Sequence, residues 1–415
     1  MIGLVDMTRV SFDKIASYSF SSSTQLLSYN TACKSSISLF YLFCTGSLFF
    51  DIVHHLLHRC NKSSHPLFQR LARVHRYHHL YFTRHMQFDK KYLRQNQFQA
   101  LPLELVLQVI GTILGYIFAV FVTPKSLHWI TRHHLYFTVT VQVLRTSFVI
   151  ATSGRDSNHL VYETAPKDPN WIFVGPEFHS LHHVYPDRYI GSFIKILDWI
   201  FGTAYSFRSK HFVITGADTV FGQAMMAELE RDGVNHIHKL NIGIDWDHDQ
   251  FEEAIPVLSK CDILILAHGS SHQDEVKSDC ESAIQLVKLF KKHRATNPLG
   301  PTLPEVWYTD NGIESHTSWK AEQTQHESQS KQGFLLHARS LYNDATILYR
   351  HIDLSSVHSA KGSSASEASR TAKCAMWWIR RGARYVPSTC IWVACLNYFK
   401  FIFCIPDAQD FESVS

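Results

Sequence analysis

The chain has 415 residues, enough for two or more domains. Charged residues make up 18%, below the roughly 25% of ordinary soluble domains, so part of the chain is expected to meet lipid. A formal charge of +4 is too small for a nucleic-acid-binding protein and suits a protein at an anionic membrane surface.

Residues 1–36 are polar and Ser-rich, carry no secretory signal, and are expected to be a loosely attached N-terminal segment. Ile37 to Val53 is apolar and just long enough for a membrane span or half of a hairpin. Residues 59–100 are rich in His, Arg, Gln and Tyr and read as an interfacial helical segment. Leu105 to Thr123 is the clearest span, and Thr123-Pro124-Lys125 breaks it. Leu127 to Ala151 is a second candidate, although it carries Arg132, His133, His134 and Arg145. The pair would form a hairpin that returns the chain to its starting side. Residues 152–190 are polar and proline-punctuated, and Ile194 to Tyr205 reads as a short amphipathic helix ending at Gly202.

From residue 208 the character changes. Phe212 to Gly216, Ile263 to Ala267 and Glu305 to Tyr308 are short apolar runs alternating with helical stretches, which predicts a βαβ domain with a parallel sheet. Val386 to Pro406 is an apolar tail, either packed on the domain or lying on a membrane surface. The expected division is therefore 1–36, an all-α membrane domain at 37–207, an α/β Rossmann-like domain at 208–385, and a tail at 386–415. Nine cysteines form no CxxC pair, so neither a zinc ribbon nor a disulfide framework is indicated.

Histidine is the outlier, with 27 residues, many of them grouped. Asp51, His54, His55 and His58 sit at i, i+3, i+4 and i+7, one stripe of a helix. His75, His78 and His79 repeat the i, i+3, i+4 spacing, and so do His179, His182 and His183. Each helix can aim two or three imidazoles at one point. Neutral imidazole binds iron, zinc, copper and nickel. The three clusters together exceed the four ligands of one tetrahedral ion, so two metal ions are expected. The lack of cysteine argues against a structural zinc site.

His54-x-x-x-His58, His75-x-x-His78-His79 and His179-x-x-His182-His183 resemble the three boxes of the fatty acid hydroxylase superfamily, the membrane di-iron oxygenases that include sterol desaturases. Asp198-Trp-Ile-Phe-Gly-Thr203 resembles the motif that follows the third box in that family. The resemblance covers roughly residues 38–207. It implies two Fe, held by these histidines and by an additional one, for which His159 is the candidate and His133 or His134 a weaker one. It implies hydroxylation or desaturation of a lipid such as a fatty acyl chain or sterol, using O2. An external electron donor such as cytochrome b5 or ferredoxin is required, since no haem or flavin motif is visible. Asp51, His55 and Glu163 are candidates for orienting the ligand imidazoles. An endoplasmic-reticulum or plastid membrane is the expected location, with the chemistry on the cytosolic or stromal side.

Val213-Ile-Thr215-Gly216-Ala-Asp-Thr-Val220-Phe-Gly222 resembles the glycine-rich turn of short-chain dehydrogenases, which brings backbone close to a dinucleotide pyrophosphate. Val220 stands where the middle glycine belongs. Asp245 resembles the acidic step beside the adenine, and Gly269 ends a segment resembling that family's NNAG without the asparagines. Gly233 to Asp245 is too short for the usual strand, helix and strand. Lys331 has Glu327 four residues before it, where the catalytic tyrosine is needed. This half resembles a degenerate Rossmann domain, and NADP(H) is not expected there. The fused order resembles bifunctional sterol desaturase/short-chain dehydrogenases of cyanobacteria and algae. Two other readings are an NADPH-dependent reductase acting through the C-terminal half and a catalytically silent partner subunit.

Overall fold

Four long helices among the described residues build the first of two compact units, described here in a computed structural model. The described residues are 6–60, 63–85, 87–122, 124, 129–154, 156–241, 244–246, 250–267, 273–296, 300–310, 334, 337–354, 365–387 and 391–403. The first unit comprises 1–82, 88–157 and 191–194, and the second comprises 83–87, 158–190 and 195–415.

In the first unit, α1 runs Asp6–Cys60, α2 Pro66–Tyr81, α3 Leu101–Val122 and α4 Arg132–Ala151. The N-terminal segment expected to be loose is thus helical from Asp6 onward. Its serines disfavour a helix only weakly, and no Pro or Gly interrupts it after Asp6 until Gly46. Two helices among the described residues are long and apolar enough to cross a membrane, Asn30–Cys60 and Lys90–Val122. α4 is not one of them: its Arg132 and Arg145 lower its hydropathy, although Phe137, Leu144 and Phe148 stand exposed.

α1 and α3 approach closely because Gly111 and Gly115 present no side chain to α1. A Cβ on Gly111 would lie 2.5 Å from the Phe49 Cβ, and one on Gly115 would lie 2.1 Å from the Thr45 hydroxyl. This small-xxx-small spacing is how apolar helices pack when no hydrophobic drive separates them from lipid. Buried polar groups tie the interface further, with Gln142 of α4 donating to the Thr112 hydroxyl at 2.9 Å. The Tyr41 hydroxyl donates to the Gly115 carbonyl at 3.2 Å.

The second unit is built on a six-stranded parallel sheet in the order β2-β1-β3-β4-β5-β6. The strands are β1 Phe212–Thr215, β2 Ile237–Leu240, β3 Ile263–Leu266, β4 Glu305–Asp310, β5 Leu348–Asp353 and β6 Tyr385–Pro387. β1, β3 and β4 are the three runs legible in the sequence. β1 and β3 are buried along their whole length, as strands covered on both faces must be. Phe212 and Ile214 point into one core with Met225, Trp307 and Met376. Val213, Leu264 and Leu266 point into the other with Leu286, Phe290 and Tyr349. Among the described residues one strand, β2, lies between β1 and β3. Among the described residues the tail contributes to β6 and to a helix, Ile391–Phe403. Phe401 of that helix is buried in the sheet's core, while Leu396, Phe399 and Phe403 are exposed.

Candidate metal centre

The first two histidine boxes meet inside the first unit because both helices turn their i, i+4 faces inward. α2 buries Ala72, His75, His78 and Tyr81, a strict three-residue step along one face. It ends at Tyr81, whose hydroxyl donates to the Ser153 carbonyl at 2.6 Å and fixes the C-terminal end of the box. On α1, the Phe50 ring stacks on His54 at 5.2 Å.

The His54 and His58 Nε2 atoms are 3.1 Å apart, those of His58 and His75 3.2 Å, and those of His75 and His79 3.1 Å. Hydrogen bonding explains this poorly. A neutral imidazole nitrogen is either donor or acceptor, yet the His58 and His75 Nε2 atoms each meet two others. Two nitrogens at ~2.0–2.1 Å from one ion and at right angles lie ~3 Å apart, so the observed spacing would suit ligands of a shared ion. These four ligand atoms lie within 4.8 Å of one another.

Within the second unit, His179 and His183 lie one turn apart on the helix Pro176–Val184. The His179 Nε2 is 2.9 Å from that of His159 and 3.3 Å from that of His183. His159 reaches the box from the preceding loop and is 9% exposed, buried as a ligand should be. These three nitrogens also fall within 4.8 Å of one another. Both groups of histidines can therefore bind a metal ion.

Two further box residues are fixed through their other ring nitrogen. The His182 Nδ1 lies 2.9 Å from the Arg188 carbonyl. A proton on Nδ1 there leaves Nε2 as the nitrogen able to accept a metal ion. The His78 Nδ1 lies 3.3 Å from the Asn96 Oδ1 and 3.7 Å from the Glu104 carboxylate. Glu104 also stands 4.0 Å from the His75 Nδ1. Asn96 opens a π-helical turn, Asn96–Ala100, of the kind that clusters at functional sites. Asn96 and Glu104 were not legible as site residues, because no spacing links them to a box.

Other expected residues fall elsewhere. Asp51 is fully buried on α1. His55 is half-buried, and neither it nor Asp51 belongs to either group. Glu163 is exposed. Glu177 of the same unit is half-buried, with its Oε2 enclosed and its Oε1 accepting from the Tyr162 hydroxyl at 3.5 Å. His133 is exposed, and His134 closes the capping box at Thr131, with its Nδ1 3.1 Å from the Thr131 amide.

The motif after the third box has a structural job. Asp198 is fully buried, and its Oδ1 accepts from the Ile190 amide at 2.9 Å and the Thr203 hydroxyl at 2.6 Å. Gly202 takes φ +64°, a left-handed helix cap. Arg188 donates to the Gly202 carbonyl at 3.1 Å, which sets the carbonyl that meets His182.

At the C-terminal edge of the sheet, Gly216 takes φ +64°. A Cβ on Gly222 would fall 2.1 Å from the Gly216 carbonyl, so this glycine serves packing of helix on turn. The Gly222 amide is taken by the Thr219 hydroxyl at 2.9 Å, and Val220 stands exposed at the first helical position. Thr215 is buried, with its hydroxyl 3.4 Å from the Ile265 carbonyl. The Asp245 carboxylate accepts from the Asn241 amide at 2.8 Å, a local turn contact. Gly269, Glu327 and Lys331 lie outside the described residues.

No family model and no solved structure matches the chain. The chain is 26% identical over 170 residues to monoglucosyldiacylglycerol epimerase from Synechocystis sp. (strain ATCC 27184 / PCC 6803 / Kazusa). That similarity covers 35% of this chain and 41% of the relative, so the chain matches about two fifths of that enzyme's length.

Proposed function

We propose that this chain is a membrane-bound oxidoreductase that holds two iron ions on its histidine groups and hydroxylates or desaturates a lipid. The observation that carries the reading is the Nε2 spacing of His54, His58, His75 and His79, which suits a shared ion and not a hydrogen-bond network. The donor set fits iron: all-imidazole, without thiolate, and with enough nitrogens for more than one ion. His54, His58, His75 and His79 would hold one ion, and His159, His179 and His183 the other, with His78 and His182 completing the set. Bound iron would supply activation of O2 and oxidation of an unactivated C–H bond, with electrons from an external donor.

The protein's part is to fix the ligands and to admit the lipid. Asn96 and Glu104 hold the His78 ring, and the Arg188 carbonyl holds His182 as the Nδ1–H tautomer, each leaving Nε2 to face a metal. The apolar helices Asn30–Cys60 and Lys90–Val122 suit a span, and exposed Phe118, Phe121 and Val122 on α3 suit contact with acyl chains. The Synechocystis relative's name gives a glucosyl lipid as its substrate, which supports a lipid-modifying enzyme here and makes a glycolipid the second substrate class to try.

The test is metal analysis of the full chain purified in detergent. The reading expects about two irons per chain, since the boxes exceed one tetrahedral shell. A His58→Ala/His75→Ala variant should lose one and a His179→Ala/His183→Ala variant the other. Protein free of iron after expression in iron-replete medium refutes the reading.

A further inference from the structure

Within the second unit a cavity of about 450 Å³ lies where β4, β5 and β6 begin, lined by Glu305, Leu348 and Tyr385, the first residue of each strand. Gly216 and Gly222 follow the opposite end of β1, so this is not the crevice in which doubly wound sheets take nucleotides. Its volume falls within the roughly 300–1,000 Å³ of small-molecule sites.

The cavity has two kinds of wall. One is aromatic: Trp171 and Trp199, with ring centroids 5.6 Å apart, face it together with Trp378. The other is basic, with six cationic side chains against the carboxylates of Asp168 and Glu305. Lys195 pairs with Asp168, and both Lys210 and Arg350 are spent on Glu305. Lys167 and Arg384 form no ion pair with a carboxylate among the described residues, their hydrogen bonds going to backbone carbonyls. The Lys167 ammonium donates to the Tyr342 carbonyl at 3.2 Å and to that of Asp344, while the Asp344 carboxylate turns to Lys291. The Arg384 guanidinium lies 3.7 Å from the Tyr342 ring centroid and donates to the same Tyr342 carbonyl, and its Nε is buried without a hydrogen-bond partner. Two cations thus share one neutral carbonyl, an arrangement that repels unless an anion joins it. Burial, with the Arg384 charge adding to it and the Asp344 charge opposing it, pushes the Lys167 ammonium down to about 8.

An inorganic anion would use only the basic wall. Trp171 stands 77% exposed beside exposed Ile172 and Phe173, so the aromatic wall continues to an apolar rim. We infer that this cavity binds an amphipathic anion, with its phosphate or carboxylate on Lys167 and Arg384 and its apolar part against Trp171, Trp199 and Trp378. The inference is independent of the iron reading.

The test uses the full chain in nanodiscs and three probes: dodecyl phosphate, 1-dodecanol and inorganic phosphate, with binding followed by native mass spectrometry. Dodecyl phosphate should bind at least about tenfold more tightly than either other probe, the worth of one charge-assisted hydrogen bond or more. Lys167→Met and Arg384→Gln should each weaken it by about tenfold and leave dodecanol unchanged. If Arg384→Gln fails to fold, Lys167→Met decides the head, and Trp171→Ala, at an exposed position, decides the apolar part by weakening dodecyl phosphate. His179→Ala should leave dodecyl phosphate binding intact, which separates this cavity from the metal centre. Equal binding of dodecanol, or affinity unmoved by Lys167→Met, overturns the anion site. Inorganic phosphate binding as tightly as dodecyl phosphate overturns its amphipathic character.

Discussion

Replacing Glu305 by Gln tests how the sheet unit tolerates charge at its core. Glu305 is 2% exposed and accepts from Lys210, from the Tyr205 hydroxyl at 2.7 Å, from the Trp307 indole at 3.2 Å and from Arg350 at 3.4 Å. Lys210 is 6% and Arg350 2% exposed, so both cations stay largely desolvated when the carboxylate is lost. Breaking a buried pair from one side costs about 3–5 kcal/mol, because the uncompensated charge stays buried. That is a large part of a domain's roughly 5–15 kcal/mol. The E305Q protein should therefore melt on the order of 10 °C below wild type in a tryptophan-fluorescence scan of the full chain. Adding Lys210→Met should recover part of the loss, since it removes one stranded charge. A single-variant cost under about 1 kcal/mol refutes the reasoning, because that is the worth of an exposed pair. The same group predicts a pH dependence. Burial alone would raise the Glu305 carboxyl, but the Lys210 and Arg350 charges and the Lys210 and Tyr205 hydrogen bonds hold it below the ordinary value. A depressed folded pKa adds stability above the unfolded value of about 4.3, and that stability is lost as pH falls below it. Wild type should lose stability on acidification through that window, and E305Q should lose less.

Other predictions follow from single contacts. Asp198→Ala strands the Ile190 amide and should cost about 2–4 kcal/mol, read as faster hydrogen exchange at Ile190. Gly115→Leu forces a side chain into Thr45 and should destabilise the α1–α3 pair by at least about 1–3 kcal/mol, read as a lower melting temperature in detergent. Thr219→Ala removes the cap of the helix Val220–Arg231 and should cost about 1 kcal/mol in chemical denaturation. Lys167, lowered to about 8 by burial and by Arg384, is charged below that pH and neutral above it. Acylating reagents at pH 8 should label it ahead of ordinary lysines, and dodecyl phosphate binding should weaken as pH rises through that value.

The histidine stripes were legible because a helix repeats every 3.6 residues, so Asp51 to His58 and His75 to His79 declare their faces from spacing alone. The same holds for β1, β3 and β4, whose apolar runs are long enough to be seen. β5 and β6 were not legible, because Leu348–Asp353 buries Arg350, His351 and Asp353, and Tyr385–Pro387 is only three residues long. Their polar groups are tolerable only beside partners that come from other strands, such as Glu305 for Arg350. Periodicity likewise could not choose Asn96 and Glu104 for His78, or the Arg188 carbonyl for His182, since those pairings cross turns and helices.

By itself the sequence determined which imidazoles share a helix face, and that the second half is a parallel α/β sheet. Only the tertiary structure decided that the box imidazole nitrogens stand about 3 Å apart, that Glu163 is exposed while the Glu177 Oε2 is enclosed, and that Lys167 and Arg384 share one carbonyl. The reason is physical: local spacing fixes directions along one element, whereas distances between elements follow from which side chains are small enough, or paired enough, to let them close.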